Sequence, residues 1–272
     1  MKFENLIMRL SAKSWKRVIN RRVLIIAAIA GIAAAPLAAE AGTIVVSNDE
    51  WEFTNTGFSN APATGQFVKN LVSEFGPKIH AYSTNFGFTQ SSLAAAMTTA
   101  GATYTTGTGI TFNLPTLSTY NAIFLGGNYL TAAQLTTLGQ YVANGGSVYI
   151  AGGTGFGGAV AEAAAWNSFL STYGLSFASS YNLFSGSNIA VSGDPIFTGV
   201  SALYQDNGQT ISGAGVVCCG APNGGFYAVV RVPEPATLPL FASWLIGIAL
   251  ISRLRLRHSL SGAKQNQVIT PA

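Results

Sequence analysis

Residues 120–155 read YNAIFLGGNYLTAAQLTTLGQYVANGGSVYIAGGTG. Ala122 to Leu125 form a short apolar run bounded by polar and glycine residues, the pattern of a strand buried on both faces. Thr131 then stands where a helix N-cap belongs, and Leu135, Leu138 and Val142 follow at helical spacing. Gly145-Gly146 ends that helix, and SVYIA opens a second buried strand. Two apolar strands joined by one helix and short glycine turns make a parallel unit, because parallel neighbours need a crossover.

The same alternation extends outward. TIVVS (43–47), KIHAYS (78–83) and ATYTT (102–106) read as strands. FVKNLVSEFG (67–76) reads as a helix stopped by Gly76-Pro77. SSLAAAMTTAG (91–101) is a helix with Thr89 or Ser91 as its cap. AVAEAAAWNSFLSTYG (159–174) is a helix expected to turn Val160, Trp166, Phe169 and Leu170 inward. Short, less regular strands follow from LSF (175–177). The expected fold is a three-layer α/β domain on a mostly parallel, flavodoxin-like sheet.

Residues 120–174 also resemble the flavodoxin-like domain of class I glutamine amidotransferase-like proteins, in which a strand-to-turn junction delivers a cysteine nucleophile. At the corresponding junction this chain has Gly152-Gly153-Thr154-Gly155. Where relatives carry His-Pro before a turn, it has Asp194-Pro195-Ile196-Phe197-Thr198-Gly199-Val200. Cys218 and Cys219 lie too far along the chain to substitute, and His80 is the only histidine before the tail. A nucleophile without a base is a poor catalyst, so the expectation is a domain that is not an enzyme. Thr154 is the remaining hydroxyl at the junction. The GGTGFGG stretch fits a dinucleotide fingerprint at Gly153, Gly155 and Gly158, but it does not follow the first strand. It also lacks the acidic residue about 20 positions on. No cofactor and no metal site are expected. Adjacent cysteines read as a buried or loop pair, or as a labile or intermolecular disulfide.

The two ends of the chain are of another kind. Val232-Pro233-Glu234-Pro235 precedes the uncharged run ATLPLFASWLIGIALIS (236–252), and Arg253, Arg255 and Arg257 follow. Seventeen uncharged residues reach the lower length for crossing a hydrocarbon core about 30 Å thick. Arginines beyond such a span stay on the cytoplasmic side. This order resembles the PEP-CTERM sorting tail of exported Gram-negative proteins. The resemblance implies an exosortase-type membrane protease as partner, membrane attachment before processing, and a final place at the cell surface or in the exopolysaccharide matrix. At the other end Arg17, Arg21 and Arg22 precede VLIIAAIAGIAAAPLA, and Ala39-Glu40-Ala41 offers an A-x-A cleavage site with Ala41 as its last residue. The start can be Met1 or Met8. The expected organisation is therefore a signal peptide at 1–41, an exported domain at 42–231, a sorting tail at 232–258 with its span at 236–252, and a cytoplasmic end at 259–272.

The formal charge of +4 belongs to those ends. Residues 1–41 hold seven basic and two acidic side chains, and residues 233–272 hold four and one. Between them three basic side chains face seven acidic ones, a net of −4. Such a surface has no basic patch for phosphates, which excludes nucleic acid as a partner.

Asp49, Glu50, Trp51 and Glu52 follow the first strand, at the carboxyl edge where open α/β sheets bind ligands. With Thr154 and Asp194, Asp49, Glu50 and Trp51 are the candidate ligand crevice, Trp51 as a sugar-stacking face. The expected function is an exported, non-catalytic, glycan-binding protein. The alternatives are an extracytoplasmic hydrolase working in the same crevice and a structural component of the matrix.

Overall fold

The computed structural model describes residues 40–191, 193–219 and 225–233. The span at 236–252, Glu234, Pro235, the three tail arginines and residues 1–39 lie outside the described residues. Among those described, no helix is long and apolar enough to cross a membrane.

The main sheet has the order β10-β11-β1-β5-β4-β2-β3. Its parallel part comprises β1 (Glu40–Ser47), β2 (Lys78–Ala81), β3 (Thr103–Thr106), β4 (Ala122–Leu125) and β5 (Ser147–Ala151). Two antiparallel two-stranded ribbons follow, one nested inside the other in sequence: β6 (Leu175–Tyr181) pairs with β9 (Gln209–Gly213), and β7 (Ser187–Ala190) with β8 (Ala202–Gln205). The chain then returns antiparallel. β10 (Val216–Cys218) pairs with β11 (Tyr227–Pro233), which lies against the free side of β1. The mixed α/β fold with a mostly parallel sheet is therefore as the sequence predicts. The antiparallel return at β11 is an addition that the βα alternation does not announce.

Both faces of the sheet are buried, and side chains alternate between them with period two. Val45, Phe124, Tyr149 and Tyr227 point to one face, and Ile44, Ile123, Val148 and Ala228 to the other. The first face is covered by α2 (Thr64–Phe75) and α4 (Ser91–Thr99). Before them come α1 (Asn55–Asn60) and α3 (Phe86–Thr89). The second face is covered by α5 (Leu114–Leu117), α6 (Ala132–Ala143) and α7 (Gly158–Leu170). The centre of the first face is aromatic. Phe124 stacks on Tyr149 at 4.9 Å and on Phe53 at 6.1 Å between ring centroids.

The local signals act as their chemistry dictates, with two corrections. Thr131 caps α6 in a full capping box with Gln134. At α4, however, the N-cap is Gln90 with no side-chain bond, so neither Thr89 nor Ser91 caps it. In α7 Trp166, Phe169 and Leu170 are buried, but Val160 is 69 % exposed. Ala159, Glu162 and Ala163 take the inward positions of its first turns instead.

Phe124→Ala should therefore destabilise the domain by about 3–5 kcal/mol, as emptying a packed aromatic site does. Val160→Ser should change stability by less than about 0.5 kcal/mol. Urea unfolding of residues 42–233 measures both.

Candidate functional site

After β1 the chain passes to the α2 face, and after β5 it passes to the α7 face. Adjacent parallel strands whose continuations diverge leave a crevice at their carboxyl ends. Here that crevice is filled by the chain itself. The turn between β8 and β9 lies across it, with the Gln209 N–H donating to the Asn48 carbonyl at 2.8 Å. The Gln209 side-chain amide donates to the carbonyls of Ala159 and Ala178, both at 2.8 Å. Gly208 packs against Asn48 so closely that a Cβ would strike its carbonyl oxygen.

Asp49 fastens this turn. Its Oδ1 accepts the Trp51 N–H at 2.6 Å, and its Oδ2 accepts the Asp206 N–H. Asp49 is fully buried, so it serves as an internal tie and not as an open ligand contact. Burial, aided by the Asp206 charge, pushes its carboxyl up to about 7 despite these hydrogen bonds.

Three further carboxyls share the interior. Glu52 accepts from the Tyr149 hydroxyl and, at 3.4 Å, from the Gln205 amide, which also donates to the Tyr227 hydroxyl. Burial and the neighbouring Asp49 charge push Glu52 up to about 8. Glu50 is 2 % exposed, and its Oε2 has no hydrogen-bond partner among the described residues. Burial and Asp49 push it up to about 9. Glu162, from α7, accepts from the Thr154 hydroxyl at 2.5 Å and the Thr154 N–H at 3.3 Å. Burial raises its carboxyl, and the Thr154 bonds oppose that rise. Among the described residues, no basic side chain contributes to these shifts. Burial without a counter-charge disfavours the ionised form of an acid, which is why all four are raised.

Within the run Asp49–Glu52, Trp51 is the residue that reaches solvent. It is half-buried, with the ring of Phe86 edge-on at 5.3 Å and that of Tyr204 at 6.4 Å. Phe86 is 40 % exposed. The result is an aromatic rim whose central ring, Trp51, stands in sequence between the buried Glu50 and Glu52.

Asp194 is not part of this arrangement. It accepts two bonds from the Arg231 guanidinium, at 2.9 and 3.1 Å, and caps the turn at Pro195–Phe197. Arg231 also pairs with Glu74 at 2.9 Å and lies opposite Thr43, toward the start of β1. The crevice expected from Asp49, Glu50, Trp51, Thr154 and Asp194 therefore loses Asp194, and only Trp51 of its ring and acid members opens to solvent.

Thr154 sits between Gly153 and Gly155, whose φ values of 64° and 71° place them in the left-handed region that favours glycine. Its N–H is taken by the Glu162 carboxyl, which leaves it unavailable to cradle an anion. His80 is remote from Thr154 in role: its Nδ1 pairs with the Thr105 hydroxyl at 2.8 Å and its Nε2 with the Gly107 carbonyl at 2.9 Å. No group of three His, Cys, Asp or Glu among the described residues has the geometry to hold a metal ion. Cys218 and Cys219 are joined to each other by a disulfide, both sulfurs facing the Ala190 carbonyl. A groove of about 500 Å³ beside α2 and α4 is lined by Phe58, Gln66, Lys69 and Thr99 and gathers no acids.

Glu162, Phe86 and Tyr204 are the partners that sequence reasoning missed. Glu162 had a signal, because it is the lone charge in an alanine-rich helix. Phe86 and Tyr204 are distant in sequence and reach Trp51 only through the fold. No protein-family model matches the chain, and comparison with curated proteins gives no match.

The raised carboxyls set a pH dependence. Their folded-state pKa values lie above the unfolded range near 4, so the folded state binds more protons and stability falls as pH rises. The contribution is intact below about pH 4 and lost progressively up to about pH 9. Chemical unfolding of residues 42–233 should show a loss on the order of a few kcal/mol between pH 5 and pH 9. Glu52→Gln should flatten that slope, and an unchanged slope would mean the burial energetics are misassigned.

Proposed function

We propose that this chain is an exported, cell-surface or matrix protein. An exosortase-type membrane protease sorts it through Val232-Pro233-Glu234-Pro235. Its α/β domain holds a neutral glycan without cleaving it. The observation that carries the binding reading is the half-open Trp51 with Phe86 and Tyr204 set edge-on around it. Such rings offer apolar faces to the C–H side of a sugar while their edges are held in place by packing. The charge distribution supports an uncharged ligand. Of the seven acids at 42–232, Asp49, Glu50, Glu52 and Glu162 are buried, and Glu74 and Asp194 are paired with Arg231. The outer surface of the domain is left nearly neutral.

The test is binding of the wild-type domain and of Trp51→Ala to a panel of neutral exopolysaccharides. Losing a central aromatic anchor costs about 2 kcal/mol or more, roughly a thirtyfold weaker affinity. A folded Trp51→Ala domain that binds as well as wild type would refute the rim. Sorting is tested separately. Glu234→Ala in the full chain should accumulate membrane-bound, uncut protein, and equal release of mutant and wild type would end that reading.

A second reading, an extracytoplasmic hydrolase, is favoured by one contact. The Thr154 hydroxyl lies 2.5 Å from a Glu162 carboxyl oxygen, within reach of a hydroxyl nucleophile and a carboxyl that would act as its base when ionised. Hydrolysis of a matrix glycan that Thr154→Ala and Glu162→Gln both abolish would favour it over the binding reading.

A further inference from the structure

β3 lies at the edge of the main sheet and pairs on one side, with β2. The Thr103 N–H donates to the Pro77 carbonyl at 2.7 Å, and the Gly107 N–H to the Ala81 carbonyl at 3.0 Å. Bonding alternates along a parallel strand, so Thr103, Thr105 and Gly107 turn their backbone groups to β2. The N–H and carbonyl groups of Tyr104 and Thr106 therefore point away from the sheet. The open stretch is bounded at Ala102, whose N–H goes to the Met97 carbonyl at 2.9 Å. Thr103, Thr105 and Thr106 are exposed, and Tyr104 is half-buried. The Tyr104 hydroxyl donates to the Phe88 carbonyl at 2.8 Å, which holds its ring against the domain.

An exposed strand edge is a template for pairing, and proteins blunt it with charge, proline, irregular register or a cover. The opposite edge of this sheet is blunted. β10 has 3 residues, a register shift between Val216 and Cys218, and its Cys218 sulfur turned to the Ala190 carbonyl. β3 has an even register, no proline and no charge. Residues 79–161 contain no Asp, Glu, Lys or Arg, so no like charges along that stretch keep a second copy away. Lys78, opposite Thr103, is one strand removed.

The edge is also complementary to itself. Two copies set antiparallel about a two-fold axis at Thr105 place Tyr104 of each opposite Thr106 of the other. All the outward N–H and carbonyl groups of these residues then find partners, and Thr105 meets Thr105 on the axis. Aromatic–β-branched and Thr–Thr pairs are favourable cross-strand neighbours. We infer that β3 is a self-association edge, through which two copies of the chain join their sheets in this register. So short an interface makes a weak, concentration-dependent dimer. The inference is independent of the glycan and sorting readings.

Cysteine crosslinking of the full chain in detergent tests the register. Cys218 and Cys219 are already joined to each other, so an added cysteine is the free thiol. Cα atoms of a non-hydrogen-bonded antiparallel pair lie about 4.5 Å apart, within disulfide reach. Thr105→Cys should therefore form a dimer under mild oxidation. Thr103→Cys is also exposed, but its counterpart lies about 13 Å along the strand, and that chain should stay uncrosslinked. Thr106→Lys should weaken association about tenfold, roughly 1.4 kcal/mol. It removes both Tyr104–Thr106 pairs and sets two ammonium groups on diagonal neighbours. Thr105→Cys gives up a bond to His80 Nδ1, so sedimentation of the wild type and of Thr106→Lys supplies a reading that needs no added thiol. Any association through the uncharged run at 236–252 is common to all these chains. A folded Thr105→Cys chain that crosslinks no more than Thr103→Cys overturns the inference, as does equal self-association of wild type and Thr106→Lys. An adduct whose mass is not twice that of the chain gives the edge to another partner, and overturns it as well.

Discussion

The closed carboxyl edge of the sheet depends on one buried carboxyl, Asp49, and its two backbone bonds. One bond fixes the turn that carries Trp51 and Phe53, and the other fixes the β8–β9 connection. Phe53 thereby enters the aromatic centre of one core, 5.1 Å from Tyr149. Gln209 is at the same time brought to the Asn48 carbonyl and to α7. Had this position been apolar, two partly buried N–H groups from distant parts of the chain would lose their acceptor, and an unsatisfied donor costs more than a hydrogen bond contributes.

That closure converts a usual ligand crevice into a structural joint and moves the open surface outward to the rim. In an open α/β sheet the diverging strand ends are a natural place for a small charged ligand. Filling them with buried acids and a glutamine favours a flat contact on aromatic rings instead. The electrostatics agree, because the domain hides most of its acids and keeps few bases.

Much of the parallel core was legible because its signals are local. Ala122–Leu125, the Thr131 cap and Ser147–Ala151 each announce themselves within a few residues, and the structure contains all three. Val160 misled because an alanine-rich helix offers little contrast between its faces. Small residues fit inward, and the larger valine is left outside. β11 was illegible for another reason. A strand that returns to pair antiparallel with the first one has no helix before it to mark the crossover. Of the candidate site, the acidic run after β1 was visible, but its direction was not. Sequence charge suggests solvent, whereas the partners that bury Glu52 come from Tyr149, Gln205 and Tyr227, far along the chain.

The pairing of β1 with β11 has a consequence of connectivity. First and last strands of the domain run side by side in opposite directions, so its entrance and exit lie at one end of the sheet, with Gly42 opposite Val232. A domain whose ends meet is insensitive to where its chain is opened. Residues 42–232 can be closed by a short linker into a ring and reopened at an exposed loop, or inserted whole into a surface turn of another protein, without altering the order of strands in its core.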